Sequence, residues 1–274
     1  AKDPARYPDF DAALVSDLRT SLDLFLEEVT WSGASDFRQL LLADYVYLNG
    51  RLAKFYGEKL PENAPFQKVT LDPKKHVGLL THPLLMAGFS YTSVSSPIHR
   101  GVFLARALLG RRLKPPPDAV TPIPPELHPS LSTRERILLQ TKGANCQSCH
   151  AMINPLGFAL ENFDAVGRFR EVEKEKPIDA QGSYWTLGGE EIKFNGAREL
   201  GEFLAKSEET HEAFVEHLFH YLVNQPIMAY GPDLPQTLRQ RFEKDGFSMR
   251  KLLIQEAAAA ARPGGVKSPE RKTP

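Results

Sequence analysis

Cysteine is scarce in this chain of 274 residues: there are two, and both fall inside one five-residue stretch. That scarcity excludes a disulfide framework, because a bridge between Cys146 and Cys149 closes too short a loop to staple anything. A four-ligand zinc site is excluded too, since neither a second cysteine pair nor an H-x3-5-H follows within finger range. Net charge is absent as well. Lys+Arg and Asp+Glu stand at 34 each, so no overall field favours nucleic acid or an anionic membrane. No basic stripe with interleaved aromatics appears, which argues against nucleic-acid binding. No apolar run approaches the roughly 20 residues that span a bilayer, so no transmembrane segment is expected. The chain opens Ala1-Lys2-Asp3-Pro4 without an initiator Met or a signal peptide, and reads as a mature or excised segment. Hydrolase and nucleotide chemistry lack their motifs: there is no Ser/His/Asp arrangement, no phosphate-cradling Gly-rich loop and no HExxH. Glu190-Glu191 and Glu208-Glu209 are adjacent pairs of the solvated kind and give no sign of acid/base work.

What the chain does hold is Cys146-Gln147-Ser148-Cys149-His150. Two thiolates three positions apart can each form a thioether with one vinyl group of a haem. The histidine that follows then lies over the porphyrin face and ligates the iron. A thioredoxin-like C-x-x-C would want a strand before it, yet Arg134 to Thr141 reads as helical. The motif therefore points to one covalent haem c held by Cys146, Cys149 and His150, with His150 as the proximal iron ligand. Haem attachment of this kind places a protein in the periplasm or otherwise outside the cytoplasm, and cysteines used only in the motif agree with export.

The pattern along the chain is mainly α-helical. Asp11 to Val29 carries Leu14, Leu18, Leu22, Phe25, Leu26 and Val29 on one helical face. Phe37 to Tyr56 reads as a second helix ended by Gly57, Phe66 to Leu71 as a short extended piece, and Ile98 to Leu109 as a helix between Pro97 and Gly110. Many of the 22 prolines gather between Lys114 and Pro129, giving a stiff linker in polyproline geometry. Ser132 and Glu135 form a capping box that opens the helix leading into the motif. Pro155 to Phe163 is expected as a separate short helix walling the haem, and Ser183 to Phe194 as a β-hairpin. Ala197–Ala205, Glu208–Val223, Leu234–Lys244 and Ser248–Ala261 are helical. This division gives a helical supporting or docking unit at 1–113 and the linker at 114–130. A haem-bearing unit with C-terminal helices follows at 131–262, then a disordered tail at 263–274. His99 and Arg100, just ahead of the helix into the linker, suggest that the two units pack together.

Several segments carry a resemblance. They are Tyr45-Val46-Tyr47-Leu48-Asn49 with Arg51 to Gly57, Ser96-Pro97-Ile98-His99-Arg100-Gly101, and above all CQSCHAMINPLGFALENFDAVGR from Cys146 to Arg168. Together they resemble the C-terminal part of planctomycete-type multidomain cytochrome c-like proteins, built from adjoining domains of unknown function. The likeness runs from about Tyr7 to Ala261, and Phe214 to Gly231 looks like the domain that ends those chains. Where that domain often shows Tyr-Ala-Leu-Gly-Arg, this chain has Tyr221-Leu222-Val223-Asn224-Gln225, which marks a divergent branch. The resemblance implies an exported c-type haem protein and a cytochrome c-like fold for the second unit, but supplies neither substrate nor redox partner.

The distal side of the haem is open to several readings. Ile153 to Thr210 contains neither Met nor His, so the usual ligand loop is empty. Met228, on a Pro/Gly-bounded loop, and His220, beside Phe219 and Tyr221, are the distal candidates. The alternatives are a core-filling Met and a surface histidine. His217 shares a face with His220. His82, Met86 and His99 could reach the iron only if both units share the pocket, and a five-coordinate iron is the remaining option. Arg100, Arg168 and Arg170 are candidate propionate partners against ordinary surface pairing, with Arg168 taken as the cofactor-binding one. The leading function is periplasmic electron transfer, with a partner protein or with other domains of a longer parent chain. The runner-up is a haem enzyme, peroxidase-like or another oxidoreductase, with an open distal face.

Overall fold

The computed structural model describes residues 2–114 and 128–261. Just over half of these residues are helical, and the strands among them form three two-stranded sheets. Helix α1 (Ala12–Trp31) starts where Asp11 accepts the Leu14 N–H, and it buries Leu14, Leu18, Phe25 and Val29 on one face. The helix expected from Phe37 to Tyr56 is three elements instead: α2 (Gln39–Leu42), β1 (Tyr45–Leu48) and α3 (Gly50–Tyr56). Tyr45-Val46-Tyr47-Leu48 alternates half-buried and buried side chains, a period of two that suits a strand. Asn49 then restarts a helix by accepting the Leu52 N–H, and Gly57 ends it at φ +79°. β1 pairs antiparallel with β2 (Gln67–Thr70), Tyr45 opposite Thr70.

Helix α4 (Pro83–Gly88) precedes α5 (Pro97–Phe103), which runs on into a π-helical turn at Leu104–Leu108. There the Leu109 N–H reaches back to Leu104 O, and Gly110 closes the element at φ +62°. The capping box appears in full at the start of α6 (Thr133–Gln140), with Ser132 and Glu135 satisfying each other's backbone N–H groups. Helix α7 (Ala144–Phe158) holds both the C-x-x-C-H motif and Asn154-Pro155-Leu156-Gly157-Phe158. The separate helix expected from Pro155 is thus a continuation of the motif helix. Pro155 removes one ladder donor, but neighbouring backbone confines the helix on either side of it and keeps it running.

A two-stranded ribbon that the sequence pattern did not suggest follows, β3 (Val172–Glu173) with β4 (Lys176–Pro177). The expected hairpin is β5 (Gln181–Trp185) with β6 (Glu191–Asn195). Helices α8 (Gly196–Lys206), α9 (Glu208–Val223), α10 (Leu234–Lys244) and α11 (Met249–Ala260) complete the chain, with a 3-10 turn at Ile227–Tyr230 between α9 and α10. The linker expected at 114–130 falls mostly outside the described residues, and the tail expected at 263–274 wholly so. Among the described residues no helix is long and apolar enough to cross a membrane.

One large core joins the two halves: Phe25, Phe37 and Leu41 pack in the same cluster as Leu156, Leu160, Tyr184, Val215 and Phe242. A smaller cluster, including Leu14, Leu18, Val46, Leu48 and Leu52, lies under α1, β1 and α3. At the centre α5 and α7 cross antiparallel at backbone contact. Gly157 faces Pro97 O, Gly101 faces Ile153 O, and a Cβ at either glycine would intrude on that carbonyl. On the far side of α7, Gly182 of β5 leaves the same kind of space for Pro155 O.

Candidate functional site

The motif occupies the first half of α7. Gly143 caps the helix with backbone alone, its carbonyl receiving the N–H groups of Cys146 and Gln147. Cys146 and Cys149 are free thiols, both partly exposed. The side chain of Gln147, between them, donates to Thr141 O at the end of α6, so the motif is tied down from its middle. His150 is half-exposed and uses Nδ1 in a 2.8 Å contact with Asn154 Oδ1. Its Nε2 has no partner among the described residues. Two accessible thiols and a partner-free imidazole nitrogen on one helical surface are the donor set a covalent haem c needs. The residues fit that group.

Beyond the motif, α7 is tied to the end of α6. Asn154 is buried and donates from Nδ2 to Thr141 Oγ1 at 2.8 Å, and Thr141 in turn donates to Ile137 O at 2.8 Å. Neither Asn154 nor Thr141 stood out in the sequence. Asn154 lies four residues after His150 on one helix, a spacing that brings side chains together, but the following proline disfavours helical backbone at residue 154 and weakens that signal.

Arg100 is a correction. It is 0 % exposed, with its guanidinium taken up inside the protein. Its guanidinium donates to Leu160 O, Phe163 O, Asp164 O and Ser90 Oγ at 2.7–2.9 Å, gathering the turn that follows α7. Glu161 lies 3.5 Å away, equally buried. Burial lowers the Arg100 guanidinium to about 10 and pushes the Glu161 carboxyl up, each countered by the other's charge. Arg170 joins the same network, bridging Glu161 and Glu173. Arg168 lies over the Phe55 ring at 5.0 Å and pairs with Asp9 at 3.7 Å, so its partners here belong to the N-terminal elements.

The distal candidates lie elsewhere. Met228 sits on the 3-10 turn, which packs on α9 and α10, and it is 56 % exposed, so it fills no core gap. His220 is exposed on the last turn of α9. His217 meets Arg106 O at 3.3 Å, which ties α9 to the π turn, and that turn packs on α7. His82 and Met86 are buried: His82 Nδ1 accepts the Leu84 N–H to cap α4, and burial holds its ring neutral, pushed down to about 3. His99 is half-buried and lies tilted against the Tyr91 ring, 5.1 Å between centroids. No group of three or more His, Cys, Asp or Glu able to hold a metal ion occurs among the described residues.

Residues 76–173 match the family PSCyt3, a protein of unknown function (DUF1588), and residues 1–57 match PSD4, a protein of unknown function (DUF1592). Both are domains associated with planctomycete-type cytochromes c. The PSCyt3 match contains Arg100, Gly101, the whole motif, Asn154 and Arg168, and it runs across the 114–130 stretch rather than ending there. Met228 and His220 lie outside both matches. No curated protein and no solved structure matches the chain.

Proposed function

We propose that this chain is a c-type cytochrome, carrying one haem c on Cys146 and Cys149 with His150 as proximal ligand, and that it transfers electrons in the periplasm. It would do so as part of a larger redox protein or with a partner protein. The observation that carries the reading is His150, with one ring nitrogen tied to a buried amide and the other free beside two accessible thiols. When bound, the haem would supply a one-electron couple at its iron, with axial ligation as a main control over potential. The chain's own part is to hold the attachment points still. Cys146, Cys149 and His150 share one helix, α6 clamps it through Gln147 and Asn154, and α5 and β5 confine it by backbone contact. A ligand mounted on rigid elements keeps its geometry better than one on a loop. Residues 131–262 form the cytochrome c-like part under this reading, and the N-terminal helices support it through the shared core.

The test is expression with haem-attachment machinery in an exporting host. Intact mass under denaturing conditions should exceed the polypeptide by one haem, and the alkaline pyridine spectrum should be that of a haem with two thioether links. Haem lost to acid-acetone, or polypeptide mass alone, would sink the proposal. The second reading, a haem enzyme with an open face, draws on the exposure of both distal candidates. It requires high-spin iron and ready binding of carbon monoxide by the reduced protein.

A further inference from the structure

Three hydrogen bonds of 2.8 Å run in series from the end of α6 to the motif, and their directions follow from donor counts. The Thr141 hydroxyl has one proton, and it goes to Ile137 O. Toward Asn154 the same oxygen can therefore only accept, which assigns the amide NH2 of Asn154 to that side. The amide oxygen must then face His150, and an amide oxygen cannot donate. So the proton between them belongs to His150 Nδ1, and Nε2 is left with its lone pair outward. Thr141 and Asn154 are each 3 % exposed, so water does not compete to scramble this order. Reversing the amide would set NH2 against Nδ1 and so require the Nε2–H form of His150. It would also pull the hydroxyl from Ile137 O, which would keep only the Thr141 N–H.

We infer that Asn154 and Thr141 are positioning residues that select the Nδ1–H tautomer of His150, present Nε2 to the haem, and set the basicity of that ligand. This rests on the haem reading for its consequence but not for its geometry. A neutral amide acceptor draws on the imidazole proton less than a carboxylate would, so the ligand is held at moderate basicity. Partners of this kind behind a ligating histidine fix ring orientation and tune the metal. Thr141 reaches the motif twice, since its carbonyl also receives the Gln147 side chain from between the cysteines.

The first measurement uses the haem-free chain, labelled with nitrogen-15 and examined by long-range imidazole correlation at alkaline pH. Wild type should show His150 as one dominant Nδ1–H tautomer. Asn154→Leu should shift it to the Nε2–H form or a mixture, Asn154→Asp should keep Nδ1–H, and Thr141→Val, which frees the amide to turn, should give a mixture. An Nε2–H wild type, or an unchanged ring in Asn154→Leu, overturns the inference. The wild-type spectrum alone decides if a variant does not fold. In the haem-loaded chain, Asn154→Asp should lower the midpoint potential and Asn154→Leu should raise it. Equal potentials in all three would overturn the claim about basicity. Failure to attach haem would instead strike the proposed function and leave the tautomer result standing.

Discussion

Gly157→Ala is a one-methyl change that tests the architecture holding the motif. In isolation the substitution favours the helix, because alanine is better than glycine in a helix interior by about 1 kcal/mol. Here the added Cβ meets Pro97 O, Pro97 C and Pro97 Cα, all backbone atoms of α5, so no rotamer change relieves the clash. α5 must back away from α7, and the core they share with Leu156, Leu160 and Leu104 must open with it. Overpacking of this kind costs typically 1–3 kcal/mol and more when backbone has to move. Setting the upper end of that range, which a clash with backbone warrants, against the propensity gain, a net loss of about 2 kcal/mol is expected, or roughly 4–8 °C in Tm at this chain length. Gly88→Ala is the control. It also lies in a helix, and its Cβ would meet nothing within 4 Å, so it should leave Tm unchanged or slightly raised. Thermal unfolding followed by circular dichroism separates the two. A Gly157→Ala chain that melts with or above wild type would refute the backbone-contact reading of the α5–α7 crossing.

Glu256 is 0 % exposed with both carboxylate oxygens unpartnered among the described residues, and burial pushes its carboxyl up to about 8. The folded state then holds the proton more tightly than the unfolded one, so stability is full below about pH 4.5 and is lost as pH rises through 8. Glu256→Gln should flatten that slope and be more stable at pH 9 by roughly 2–4 kcal/mol while matching wild type near pH 4, and a parallel pH profile would contradict it. Arg100→Met should cost about 3–5 kcal/mol in urea unfolding by stranding Glu161 and the carbonyls of the 160–164 turn, and a loss under 1 kcal/mol would remove Arg100 from that role. For the distal side, if Met228 or His220 ligates the iron, its alanine variant should convert low-spin iron to high spin with the covalent haem intact. Wild-type protein already in the high-spin state would favour the enzyme reading.

The sequence made much of this chain legible, and it failed for identifiable reasons. Helices α1, α6, α9 and α10 show long apolar periodicity or a complete cap, signals that local physics enforces. The stretch from Phe37 to Tyr56 misled because its apolar residues also fit a helical face. What decided otherwise was pairing with Gln67–Thr70, a partner some twenty residues away that periodicity cannot see. Arg100 misled in the opposite way. An arginine in a family-like motif looks like a partner for a bound anion, yet its partners are internal: the carbonyls of the 160–164 turn and the Glu161 carboxylate, brought together only by the fold.

The motif itself needed no fold to be read, since its chemistry lies in five consecutive residues. Its orientation did need one. Asn154 reaches His150 because α7 keeps helical geometry right up to Pro155, although a proline disfavours helical backbone in the residue before it. What carries the helix past it is the contact of Gly157 with Pro97 and of Gly182 with Pro155, across two other elements. The glycines that let α5 and β5 close on α7 are therefore also what place an amide behind the histidine. The segments around Gly101 and Gly157, which look like separate motifs along the chain, are two sides of one contact. Packing at that crossing and ligand geometry at His150 should then fail together: a chain with α5 and α7 forced apart should lose the single His150 tautomer before it loses its helices.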